Sequence, residues 1–177
     1  MSPAPTAGPP DPGPAAGPVV ALDTGQGSLR EADHLLRGLA AALGDGLVLG
    51  CTHFAGGAVV LSLGLAGGVP VDAVRALTPL APRPADGHEG GRAVVFPGEA
   101  ALRGTLPVAD VLARSAVARV VLLGGGGDVP GDVPLVTRDH VRPLVQAGRL
   151  VLTVDPLAGG RVTPFETPTP TPCCADH

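Results

Sequence analysis

One amphipathic segment with a start signal and a stop signal constrains this chain more than any other feature. Ser28, followed three residues later by Glu31, forms a capping box. From there Leu29, Ala32, Leu35, Leu36, Leu39, Ala40 and Leu43 fall on one helical face, and Gly44 ends the run. Asp33 and Arg37 stand at the i,i+4 spacing of a solvent-side ion pair. The segment is flanked by Val19–Leu22, which reads as a buried strand, and by Leu47–His53 and Ala58–Leu63, which read as a hairpin closed by Phe54–Gly57. A helix between such runs commits the chain to packing helices on a sheet.

Pro70 opens a further short helix through Leu77, and residues 78–91 are a long polar loop with three prolines, a length that is usually functional or disordered. A strand over Arg92–Phe96 completes a β-α-β-β-α-β order over residues 19–96, that of a ferredoxin-like unit. Beyond it come a helical turn at Glu99–Arg103, a helix capped by Thr105 and running to Ser115, and a strand at Val117–Leu123. Two short turns over Thr137–Ala147, broken by Pro143, precede a hairpin of Arg149–Asp155 with Arg161–Phe165. Hairpins interleaved with helices predict a single α/β domain over residues 18–166 with a mixed sheet, the first-half unit being extended by further strands. Residues 1–17 are a Pro/Ala/Gly-rich lead-in expected to be disordered, and residues 167–177 an extended Thr-Pro tail.

Composition narrows the function classes. The core material is Val, Leu and Ala, without Ile, Trp or Tyr and with three Phe. All twelve basic residues are Arg, yet the net charge is −4 and stacking aromatics are scarce, so nucleic-acid binding is not expected. No apolar run has the roughly 18–20 residues of a membrane span, and the N-terminal stretch has neither the basic residues nor the apolar core of a secretory signal. Cytoplasm is the expected compartment, where three cysteines suggest free thiols, metal ligands or redox chemistry.

The densest ligand chemistry lies at the carboxyl terminus. Cys173, Cys174, Asp176 and His177 fall within five positions, with two residues between Cys174 and His177, a spacing from which a tight turn directs a thiolate and an imidazole at one cation. Cys51 and His53 stand at i and i+2 of a predicted strand and so share a face. Thiolates with imidazoles suit Zn²⁺ or copper, not Mg²⁺ or Ca²⁺. The arm Thr167–Pro172 spans roughly 19 Å at about 3.1 Å per residue, enough to carry the tail back across a small domain. Three other roles fit the same residues: a tail without chemistry, an interaction module that binds a partner protein and no metal, and a vicinal thiol pair in redox exchange.

Two weaker motifs remain. Leu22-Asp23-Thr24-Gly25 shares its pattern with the aspartic-protease loop, but no second copy exists in the chain and a capped helix follows. A strand-to-helix turn explains it better, and such a turn could hold an anion or small molecule through Asp23, Thr24 and Ser28. Gly124–Gly127 follows a strand, but Asp128–Pro134 cannot start the helix a phosphate loop requires. No complete catalytic set can be assembled from spacing, so neither an enzyme nor a substrate is specified.

Overall fold

A computed structural model describes residues 17–25, 27–125 and 127–168. The first strand, β1 (Val19–Asp23), leads into α1 (Leu29–Leu43). The capping box is formed: Glu31 N donates to Ser28 Oγ at 3.2 Å, and Ser28 N donates to the Glu31 carboxylate at 2.8 Å. Ala32, Leu36 and Leu39 make the buried stripe of α1, while Leu29 at its first position stays exposed. β2 (Leu47–Ala55) and β3 (Ala58–Leu65) pair as the expected hairpin. Its turn contracts to Gly56-Gly57, at φ +60° and +83°, values that suit the right-handed twist of two-residue hairpins.

After α2 (Val71–Arg75) and a two-residue β4 (Arg83–Pro84) comes β5 (Arg92–Val95). The second half holds β6 (Thr105–Pro107), α3 (Val108–Arg114), β7 (Val117–Leu122), β8 (Pro134–Val136), β9 (Leu144–Gln146), β10 (Arg149–Leu157) and β11 (Arg161–Pro164).

These eleven strands form one mixed sheet in the order β4-β1-β3-β2-β5-β9-β10-β11-β8-β6, with β7 added beside β10. Neighbours run antiparallel except β7 with β10 and β8 with β11. The chain is therefore a mixed α/β domain dominated by its sheet. The strand at 92–95 does not pair with β1. It lies against β2, with Cys51 opposite Ala93 and Thr52 opposite Arg92, and the edge beside β1 is taken by β4 instead.

Two expectations of local structure are corrected. Thr105 does not cap a helix; it begins β6, and α3 starts after Pro107. Likewise Leu144–Gln146, expected as a helical turn, is the strand β9. Pro107 closes β6 in an extended conformation and Pro143 immediately precedes β9, and pairing with β8 or β10 supplies the hydrogen bonds a helical turn would have made.

The core has two parts. Alternation along β3 sends Val59, Leu61, Leu63 and Leu65 toward α1, where they meet Val20, Leu22, Leu36 and Leu39. α1 lies close on β2, since a Cβ on Gly50 would come within 3.0 Å of a Leu36 methyl. The second part gathers Val108 and Val111 of α3 with Val120, Leu135, Leu152 and Val154. Cys51 belongs to this second cluster, on the face of β2 turned away from α1.

Candidate functional site

The face opposite α1 carries a buried polar group. Cys51 on β2 stands directly across from Ser62 on β3. Two residues along, His53 Nε2 lies 2.7 Å from Ser62 Oγ. His88 Nδ1 lies 2.7 Å from the same oxygen, so two imidazoles converge on one hydroxyl. Ser62 is 3% exposed and Cys51 fully buried. The hydroxyl has a single proton to give, so at least one of the two imidazoles donates to Ser62. The far nitrogen of His88, Nε2, is buried and has no hydrogen-bond partner among the described residues.

His88 arrives on the loop that follows β4. From sequence, residues 78–91 read only as a long polar loop, functional or disordered, because nothing local to Asp86-Gly87-His88-Glu89 points inward. The loop is instead tied at several points: Gly91 N donates to His88 O at 2.8 Å, Gly90 N to Val145 O at 2.9 Å, and Val145 N to Gly91 O at 2.8 Å. The Glu89 carboxylate accepts from Ala147 N and Gly148 N in the β9–β10 turn. The loop is a strap laid across the sheet, held by the second half of the chain.

Electrostatics suit neutral imidazoles here. Burial pushes the His88 ring down to about 4, with the nearby His53 adding to the shift, and burial also lowers His53. Both rings are therefore the neutral, ligand-competent form at pH 7. Burial raises the Cys51 thiol to about 12, against an opposing contact from Ser62, so it is protonated and unreactive at neutral pH.

The Asp23–Ser28 turn is satisfied from within. The Asp23 carboxylate accepts from Gly25 N at 2.8 Å, and Thr24 Oγ1 donates to Val59 O at 2.5 Å. Both Ser28 N and Ser28 Oγ donate to Glu31, so the chain's own carboxylate occupies the place an anion would take at this helix start. A cavity of about 250 Å³ lies beside the turn, lined by Thr24 and Leu80 among others. Cys173, Cys174, Asp176 and His177 lie outside the described residues, as does the N-terminal lead-in up to Ala16.

A second polar centre was missed. Asp33 does not pair with Arg37; it receives Arg92 Nη1 at 2.7 Å and Arg142 at 3.4 Å. Arg37 binds Glu99 at 2.9 Å. Arg92 Nε also donates to both oxygens of Glu166, at 2.5 and 2.6 Å, and His140 Nε2 lies 3.2 Å from the same carboxylate. These groups come from α1, β5, the approach to β9 and the exit of β11. No local pattern joins them.

Burial alone would raise the Glu166 carboxyl, but hydrogen bonds from His140 and Arg92 carry it from 4.5 down to about 2. A carboxyl depressed in the folded state stabilises the fold fully above its unfolded value. That stabilisation should be lost as pH falls from about 4.5 to about 2. Urea midpoints measured across this window should fall for the wild type and change much less for Glu166→Gln. Parallel curves would show that Glu166 does not carry the acid sensitivity.

No known protein family, curated protein or solved structure matches this chain. Among the described residues, no three His, Cys, Asp or Glu side chains are grouped so as to hold a metal ion by themselves. No helix among them is long and apolar enough to cross a membrane.

Proposed function

We propose that this chain binds a soft transition metal, Zn²⁺ or copper, through His53 and His88, with Cys173, Cys174 and His177 completing the ligand set and Asp176 beside them. The observation that carries the reading is the convergence of two neutral, half-buried imidazoles on one small buried hydroxyl, with a buried His88 ring nitrogen left without a partner among the described residues. Imidazole in its neutral form is the commonest metal ligand, and thiolates supply the softness that selects Zn²⁺ or Cu⁺. Two imidazoles alone make an incomplete site, so ligands from the cysteine-bearing tail are a requirement of the proposal. Cys51 would have to give up a proton held with a pKa of about 12 before it could bind as a thiolate, so its binding would be strongly pH-dependent.

The antiparallel order β4-β1-β3-β2, with α1 and α2 as the intervening helices, supports reading residues 19–84 as a ferredoxin-like unit closed by β4. The strap with His88 then leaves the edge of that unit and returns over the face of its sheet turned away from α1.

The test is metal content after dialysis of the full chain against Zn²⁺ and then against metal-free buffer. Near-stoichiometric Zn²⁺ is expected for the wild type. His53→Ala, His88→Ala and the double change Cys173→Ser with Cys174→Ser should each weaken retention by about tenfold or more. A wild-type chain that emerges metal-free, or variants that retain the ion unchanged, would overturn the assignment.

A further inference from the structure

The charged centre around Arg92 opens onto a cavity of about 340 Å³, lined by Leu123, Arg142, Leu144, Thr153, Phe165 and Glu166. Large apolar side chains that stay exposed are concentrated on its rim: Phe165 at 56%, Leu123 at 49% and Leu144 at 37%. Apolar surface left open to water around a concavity marks a binding site more often than a structural accident. The volume falls at the small end of ligand pockets, roughly 300–1,000 Å³.

The charged residues at this cavity differ in how well they are matched. Arg92 holds Asp33 at 2.7 Å and Glu166 at 2.5 and 2.6 Å. Arg142, whose side chain is 5% exposed, is left with longer contacts to carboxylates. Its Nε and Nη2 reach Asp33 Oδ2 at 3.4 Å, Nη1 approaches Glu99 at 4.0 Å, and the one short bond is from Nη1 to the Val141 carbonyl at 2.9 Å. A guanidinium is always charged and presents a rigid fork matched to a carboxylate. The Glu166 carboxylate is turned to Arg92 and His140, which hydrogen-bond it, and leaves the Arg142 guanidinium without a contact from it.

We infer that this cavity binds an amphipathic monocarboxylate, its carboxylate on Arg142 and its apolar chain between Leu123, Leu144 and Phe165. The site lies apart from the two histidines. Alternation along β2 turns Thr52, which accepts from Arg92 Nη1 at 3.2 Å, to the face opposite Cys51 and His53.

Octanoate is the probe, titrated calorimetrically into the full chain, with octan-1-ol as the ligand lacking the carboxylate. Saturable binding of one octanoate is expected, at least about tenfold tighter than octan-1-ol. Leu144→Glu puts a like charge on the cavity wall at an exposed position and should weaken octanoate by about tenfold or more while the far-ultraviolet circular dichroism stays unchanged. Arg142→Gln should remove the preference for octanoate over octan-1-ol. Absence of saturable octanoate binding, equal binding of the alcohol, or an unchanged affinity in folded Leu144→Glu would each overturn the inference.

Discussion

Replacing Arg92 by leucine is expected to lower the free energy of unfolding by about 3–5 kcal/mol. The guanidinium lies between two carboxylates, Asp33 on α1 and Glu166 after β11, and its side chain is 13% exposed. Leucine removes the cation but leaves both anions where they are. Arg142 at 3.4 Å from Asp33 and His140 at 3.2 Å from Glu166 make longer contacts that do not replace it. Removing one partner of a buried pair costs more than the pair contributes, because the remaining charge stays desolvated. Urea unfolding of wild type and variant measures the difference, and a loss below about 1 kcal/mol would mean that water reaches the carboxylates. The combined change Asp33→Leu, Arg92→Leu, Arg142→Leu and Glu166→Leu should recover much of the deficit, since Arg142, which relies on Asp33, is then not left as an unpaired buried ion.

Gly91→Ala is the second large effect, about 3 kcal/mol. A Cβ at Gly91 would lie 2.7 Å from His53 Cε1, 2.7 Å from the His88 carbonyl oxygen and 2.8 Å from Cys51 Cβ. Two of those neighbours, a backbone oxygen and a Cβ on a central strand, cannot swing aside. Alanine must therefore lift the strap from the sheet, opening the contacts of both histidines with Ser62. Thermal or urea unfolding gives the loss, and hydrogen exchange at the amides of Gly90 and Val145, which donate to Val145 O and Gly91 O, locates it. The same change at Gly38 is the control. That glycine is on α1, a Cβ there meets nothing within 4 Å, and alanine should stabilise by roughly 0.5–1 kcal/mol. A destabilisation at Gly91 no larger than about 1 kcal/mol would show that the strap moves freely.

How much of this was legible in the chain depends on the range of the interaction. The start and end of α1, the β2–β3 hairpin, β1 and the β10–β11 hairpin follow from contacts a few residues apart. A capping box, a period of 3.6 and a Gly-Gly turn are local and hold against tertiary competition. Asp33 and Arg37 show where that fails. An exposed i,i+4 pair is worth a few tenths of a kcal/mol, so a better-buried guanidinium from a residue 59 positions away displaces it. Short strands such as β6 and β9 fail for the same reason: three residues carry little periodicity, and their partners decide their conformation.

Of the candidate site, Cys51 and His53 could be placed together because strand alternation is a two-residue rule. His88 could not, since its partner Ser62 is 26 positions earlier and the loop between carries no pattern. The hint available was weaker: a loop of that length, in a compact domain, is seldom without a purpose. By itself, then, the sequence determined that this chain has one well-formed helix, several short apolar strands and a clustered set of Cys and His at its end. Tertiary structure alone decided which strands are neighbours, which arginine meets which carboxylate, and that His88 reaches His53 through Ser62. Those choices come from burial. A charge or a ring nitrogen taken from water must find its partner wherever the sheet places one, and distance along the chain does not enter that requirement.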